Sequence, residues 1–156
     1  MKKPDKDKLE HVRELLERST KARLFGMDVL RKYKDVEAVA AAYNGIGPEW
    51  MGEMLRESVT RHLALFEPAA LLHDLAFEQS DGTFYGFTLA NGNFYQNCRR
   101  LADEGFKWLD TGTHTVYTAA RILYFCVSSP FGWMTWRKNF VKRGKARRKE
   151  NLNPKT

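Results

Sequence analysis

The chain has 156 residues, 43% hydrophobic and 29% charged, a balance that suits one globular domain with a substantial core and excludes disordered or fibrous architectures. Its net charge of +7 is concentrated late: from Arg137 to Lys149 there are eight Lys/Arg and no acidic residue, enough to account for the whole excess. The natural complement is an anionic surface, lipid headgroups or nucleic acid, and no nucleic-acid reader motif accompanies the run, which places nucleic acid behind lipid.

The start, Met1 to Lys8, enters an amphipathic pattern without the apolar stretch of a secretory signal, which predicts a cytoplasmic chain that acts elsewhere only if released or delivered. Cys98 and Cys126 each lie in an apolar helical run and read as free thiols. Leu9, Val12, Leu15, Leu16 and Ala22 predict a packing helix from about Asp7 to Leu24, broken at Gly26. Leu30, Tyr33, Val36, Val39 and Ala40 predict a second, reaching Ala42.

Tyr43-Asn44-Gly45-Ile46-Gly47-Pro48 follows, with two glycines that free the backbone. Inward-turned carbonyls in such a loop are hard oxygen ligands of the kind calcium takes, and an ordinary turn between helices has the same composition. Pro48 opens a predicted helix to about Phe66 with Trp50, Met51, Met54, Leu55, Val59 and Leu63 on its apolar face.

Pro68-Ala69-Ala70-Leu71-Leu72-His73-Asp74-Leu75-Ala76-Phe77 is the one stretch where a His-Asp pair interrupts an apolar helical run. Adjacent helical residues diverge by about 100°, so His73 and Asp74 aim at two objects rather than at each other. A core histidine beside a solvent-facing aspartate is the ordinary alternative. Ser80-Asp81-Gly82-Thr83 predicts a tight turn, and Phe84 to about Asp103 predicts a second helix antiparallel to the first, with Gly92 expected to ease the approach that brings Asn91 to His73.

Thr113 to Val127 predicts a further helix ended by Ser128-Ser129-Pro130. Arg121 and that break leave no apolar run of about twenty residues, so no transmembrane segment is expected. Trp133 and Trp136, followed by Arg137, Lys138, Lys142 and Arg143, form an aromatic and cationic end suited to an anionic membrane surface. The expected organisation is one helical domain over 1–136 with a basic tail over 137–156.

The ordered set of Tyr-x-Gly-x-Gly at Tyr43, an apolar-flanked His73-Asp74, and Asn91 followed at three by Phe94 resembles the phospholipase A2 family, above all its disulfide-poor viral members. The resemblance spans roughly Tyr43 to Phe94. It implies an all-α fold built on two antiparallel helices, about 68–79 and 84–103, with a glycine loop and flanking helices at both ends. It further implies hydrolysis of the sn-2 ester of phospholipids, with His73 as the base that activates water and Asn91 as its support. A calcium ion would be held by Tyr43, Gly45, Gly47 and Asp74. Three features depart from the family: Asn91 replaces its aspartate, Phe77 stands where a tyrosine is usual, and the segment between loop and histidine is longer. These departures make a catalytically inert module that binds anionic membranes the second expectation. A third comes from Leu72-His73-Asp74, which also resembles HD-domain metal phosphohydrolases, although His62, Asp103 and Asp110 are poorly spaced as further ligands.

Overall fold

A computed structural model of the chain describes residues 6–43, 63–105 and 113–152, and these are all-helical, with no strand among the described residues. Helix α1, Lys6–Lys21, buries Val12 and Leu15, and tolerates the buried Ser19 because its Oγ donates to the Leu15 carbonyl at 2.8 Å. It stops three residues before the expected end, where Arg23 and Gly26 take left-handed backbone conformations, φ 50° and 83°. The predicted second helix is two pieces, a 3₁₀ segment Met27–Lys32 and α2, Val36–Ala42. The cause of the break is Asp35, whose carboxylate accepts the Ala38 N–H at 2.8 Å and so caps α2.

Of the helix predicted from Pro48, only the last turn, Ala64–Phe66, falls within the described residues; the loop with Gly45 and Gly47, and Trp50 to Val59, lie outside them. The central pair is α3, Glu67–Glu78, and α4, Phe84–Gly105. Pro68 sits in the first turn of α3, where it sacrifices no hydrogen bond. Between the two helices Asp81 Oδ1 accepts the Thr83 N–H at 2.8 Å, and Thr83 Oγ1 accepts the Gly86 N–H at 2.9 Å, which turns the chain and caps α4. The pairings of His73 with Asn91 and Phe77 with Phe87 descend one helix as they climb the other, so α3 and α4 run antiparallel.

Helices α1 and α2 cover α3, with Ala69, Leu71 and Leu75 wholly buried in the main core alongside Val12, Leu15 and Ala40. Helix α5, Thr113–Val127, lies on α4, where Tyr95 and Tyr124 meet at 5.2 Å. Helix α6, Pro130–Leu152, follows after a reversal so tight that a Cβ on Gly132 would stand 1.9 Å from the Val127 carbonyl oxygen, which admits glycine alone. Cys98 is buried and Cys126 exposed, both as free thiols. Among the described residues no helix is long and apolar enough to cross a membrane.

Helix α6 runs unbroken through residue 136, after which the basic tail was expected to begin. Three of its polar side chains are tied to the fold. Arg137 Nη1 donates to the Gly82 carbonyl at 2.9 Å, Asn139 Nδ2 to the Phe77 carbonyl at 3.1 Å, and Arg143 to Gln79 Oε1 at 2.9 Å and to the Ser80 carbonyl. These groups add hydrogen bonds to carbonyls at the end of α3 and in the following turn. A second core forms where Trp136, 4% exposed, meets Phe77 at 5.1 Å and Phe87 at 6.2 Å. Replacing Trp136 with Ala is expected to cost about 3 kcal/mol by opening this cluster. Lys138→Ala, at an exposed position, should change stability by less than about 0.5 kcal/mol. Thermal unfolding of the two variants checks both values.

Candidate functional site

His73 is carried on the face of α3 turned to α4, 8% exposed, with its Nε2 2.9 Å from Asn91 Oδ1. With the amide oxygen as acceptor, Nε2 carries the ring proton and Nδ1 keeps its lone pair. The ring is fixed by Phe77 at 4.2 Å and Phe94 at 4.8 Å. Burial pulls the His73 pKa down to about 4, and the bond to Asn91 opposes this only in part, so the imidazole is neutral at neutral pH. Asn91 is 2% exposed, and its Nδ2 is a buried donor with no partner among the described residues. Phe77, where the resemblance led to a tyrosine, extends the contact away from the site, from His73 to Trp136.

A cavity of about 20 Å³ lies against the His73 ring, bordered by Phe25, Gly26, Asn93, Phe94 and Asn97. That volume holds one water molecule. Asn97, to which no role was assigned from sequence, fixes the wall: its Oδ1 accepts the Phe25 N–H at 2.7 Å and its Nδ2 donates to the Phe25 carbonyl at 3.0 Å. The signal available was a set of asparagines at 91, 93 and 97 within an otherwise apolar helical period. Asn93 also borders a shallow apolar groove of about 260 Å³ formed with Tyr85, Thr88, Leu89 and Gly92. Gly92 does not serve helix approach as expected: a Cβ there would touch nothing within 4 Å among the described residues, and the residue opens onto the groove instead.

Asp74 diverges from His73 as helical geometry requires and lies half-buried toward Tyr43. Burial, then the negative charges of Glu67 and Asp74, push the Tyr43 hydroxyl far above its ordinary pKa. That hydroxyl donates to Glu67 Oε1 at 2.8 Å, and the same oxygen meets His11 Nε2 at 2.7 Å. The Tyr43 carbonyl, expected to face calcium, accepts a 2.8 Å hydrogen bond from the Lys8 ammonium, whose pKa burial lowers. Lys8, His11 and Glu67 were not anticipated, since nothing local in the sequence announces contacts spanning 35 and 56 residues. Among the described residues no three His, Cys, Asp or Glu side chains gather as a metal-holding group. Gly45 and Gly47 lie outside the described residues. Of the expected calcium set, Tyr43 and Asp74 are within the described residues, and the Lys8 ammonium stands on the Tyr43 carbonyl.

The expected membrane-facing set divides. Trp136 is corrected to a core residue, and Arg137 and Arg143 are tied to carbonyls of the fold rather than to an external anion. Trp133 is partly buried on Phe84 and Phe87 at 5.7 and 5.4 Å. Lys138 and Lys142 are exposed as expected, and they continue a stripe begun by the exposed Phe131 and Met134 at helical spacing. Comparison with family models, with curated proteins and with solved structures finds no match.

The pH behaviour of His73 follows from its burial. An unfolded histidine titrates near 6.5 and the folded one near 4, so folding favours the neutral form. The corresponding stability is fully present above pH 6.5 and is lost as pH falls from 6.5 toward 4, by at most about 3 kcal/mol. Asn91→Asp should raise the His73 pKa, because a carboxylate favours the imidazolium, and should flatten this acid loss. Titration of the His73 ring by NMR, beside melting curves from pH 4 to 7, measures both.

Proposed function

We propose that the chain hydrolyses lipid esters in the manner of a phospholipase A2, with His73 as general base. The carrying observation is the buried 2.9 Å contact between His73 Nε2 and Asn91 Oδ1 beside a cavity of one-water size. In this reading Nδ1 takes a proton from the water, the water oxygen adds to the ester carbonyl carbon, and the imidazolium returns the proton to the departing alcohol oxygen. Asn91 acts by fixing the tautomer and the ring plane. It brings no negative charge to the imidazolium, which predicts slow turnover. The groove of Tyr85, Thr88, Leu89 and Gly92 takes the acyl chain, since it is apolar and Asn93 borders both it and the cavity. The stripe of Phe131, Met134, Lys138 and Lys142 suits an anionic lipid surface, apolar residues entering and lysines meeting headgroups. No calcium-dependent step is assigned, because the Lys8 ammonium already occupies the Tyr43 carbonyl.

The second reading is a module that binds anionic membranes without turnover. One observation favours it: a histidine pulled down to about 4 is a weak base. The phosphohydrolase reading lacks a cluster of further imidazole and carboxylate ligands among the described residues; His62 lies outside them.

Fatty-acid release from anionic phospholipid vesicles separates the readings. Release by the unaltered chain and none by His73→Ala supports hydrolysis, whereas vesicle binding with no release supports the inert module. Gly92→Leu should leave the fold intact or slightly more stable, by up to about 1 kcal/mol from helix propensity. Because the leucine fills the groove, release should fall at least about tenfold. Unchanged release in that variant would remove the groove from the account.

A further inference from the structure

Helix α4 carries three asparagines near His73, at 91, 93 and 97, and the fold uses two of them. Asn91 Oδ1 meets the His73 ring at 2.9 Å, and Asn97 is bonded at both ends of its amide to the Phe25 backbone. The third, Asn93, is half-buried, and its side chain has no hydrogen-bond partner among the described residues. Helical spacing sets its place. Ala90, Asn93, Phe94 and Asn97 are successive positions of the face that borders the one-water cavity beside His73. Tyr85, Thr88, Leu89 and Gly92 are successive positions of the adjoining face, which forms the apolar groove. Asn93 borders both spaces. Its Nδ2 lies on the side of Gly26, where a Cβ would stand 3.5 Å from it, and Gly26 is itself part of the cavity wall.

We propose that the Asn93 amide is the hydrogen-bond donor for an acyl carbonyl oxygen, holding it between the cavity and the groove while the hydrocarbon lies along the groove. The ligand class follows from the lining. None of the residues that border either space is Asp, Glu, Lys or Arg, so an uncharged carbonyl with an apolar tail suits the place better than a phosphate or a cation. The contact stands on the cavity, the groove and the unbonded amide; its use in turnover rests on the lipase reading. In that reaction the water oxygen bonds to the carbonyl carbon, the carbonyl π pair moves onto its oxygen, and the Asn93 N–H bond strengthens as that charge grows. When the adduct collapses the pair returns, the ester bond breaks, and the departing oxygen takes the proton held on His73 Nδ1. A half-buried asparagine at a pocket rim is also an ordinary polar residue. That ordinary role predicts no change in ligand binding or turnover when the amide is removed.

The test uses the full chain and N-methyloctanamide, an uncharged acyl carbonyl probe that the reaction does not consume. Side-chain amide signals are followed by NMR as the probe is added, the Asn93 pair being identified by its absence in Asn93→Ala. The probe should move the Asn93 amide protons downfield and bind Asn93→Ala about fivefold more weakly. Asn93→Asp, which keeps the shape and replaces the donor with an acceptor, provides a second variant should Asn93→Ala lose its fold by circular dichroism. In fatty-acid release from anionic vesicles, kcat of either variant should fall about 100-fold, more than KM rises. The proposal is overturned by a probe that leaves the Asn93 signals in place at millimolar concentration, or by equal binding to a folded variant. Release with an unchanged kcat in the variants overturns it too. If vesicles yield no fatty acid while the probe still moves Asn93 and needs its amide, the lipase reading fails and the carbonyl site stands.

Discussion

The hydrogen bond between His73 and Asn91 is the constraint around which the molecule is arranged. It spans two antiparallel helices and is buried in both, so it can form only at one register of α3 against α4. Burying a histidine is unfavourable unless the ring is neutral and bonded, and this site meets both conditions with an uncharged partner. Burial takes the ring well below its ordinary pKa, and the neutral amide opposes that shift less than an aspartate would. The choice also strands Asn91 Nδ2 as a buried donor, a cost of about 1–3 kcal/mol that the apolar packing on both helices offsets.

Support for the ring reaches beyond the central pair. Phe77 lies against His73 on one side and meets Trp136 edge-on, so the orientation of the imidazole depends on the docking of α6. That docking is held by the arginines at 137 and 143 and by Asn139, all directed at the carbonyl end of α3 and its turn. The carboxyl-terminal helix is therefore part of the scaffold of the site. On the opposite flank, Asn97 clamps the backbone of Phe25 and closes the wall of the small cavity. Lys8, His11, Glu67 and Tyr43 form a separate polar cluster where α1 crosses the start of α3 and the end of α2.

The long helices were legible in the sequence because apolar residues repeat at helical spacing over many turns: α3, α4 and α5 begin and end within two residues of expectation. The meeting of His73 and Asn91 was legible too, since a short turn between two such helices leaves little choice of register. The break before α2 could have been read from Asp35, a capping residue ahead of an apolar run, and was missed because the flanking residues kept helical spacing across it. The basic run misled for a physical reason. Composition records the charge of Arg137 and Arg143 but not that the carbonyls of Gly82 and Ser80 stand opposite them. Trp136 was read as amphipathic when the deciding fact, its contact with Phe77 on a distant helix, is tertiary. The Lys8 bond to Tyr43 is tertiary as well, and no local pattern encodes it.

The account stands on the state of one ring, and long-range proton–nitrogen correlation spectra of His73 at neutral pH report that state without reference to substrate. The prediction is a neutral imidazole with its proton on Nε2 and an unprotonated Nδ1, available to a water in the adjoining cavity. An imidazolium at neutral pH, or a proton on Nδ1 instead, would contradict it, because neither form leaves the free nitrogen a base requires.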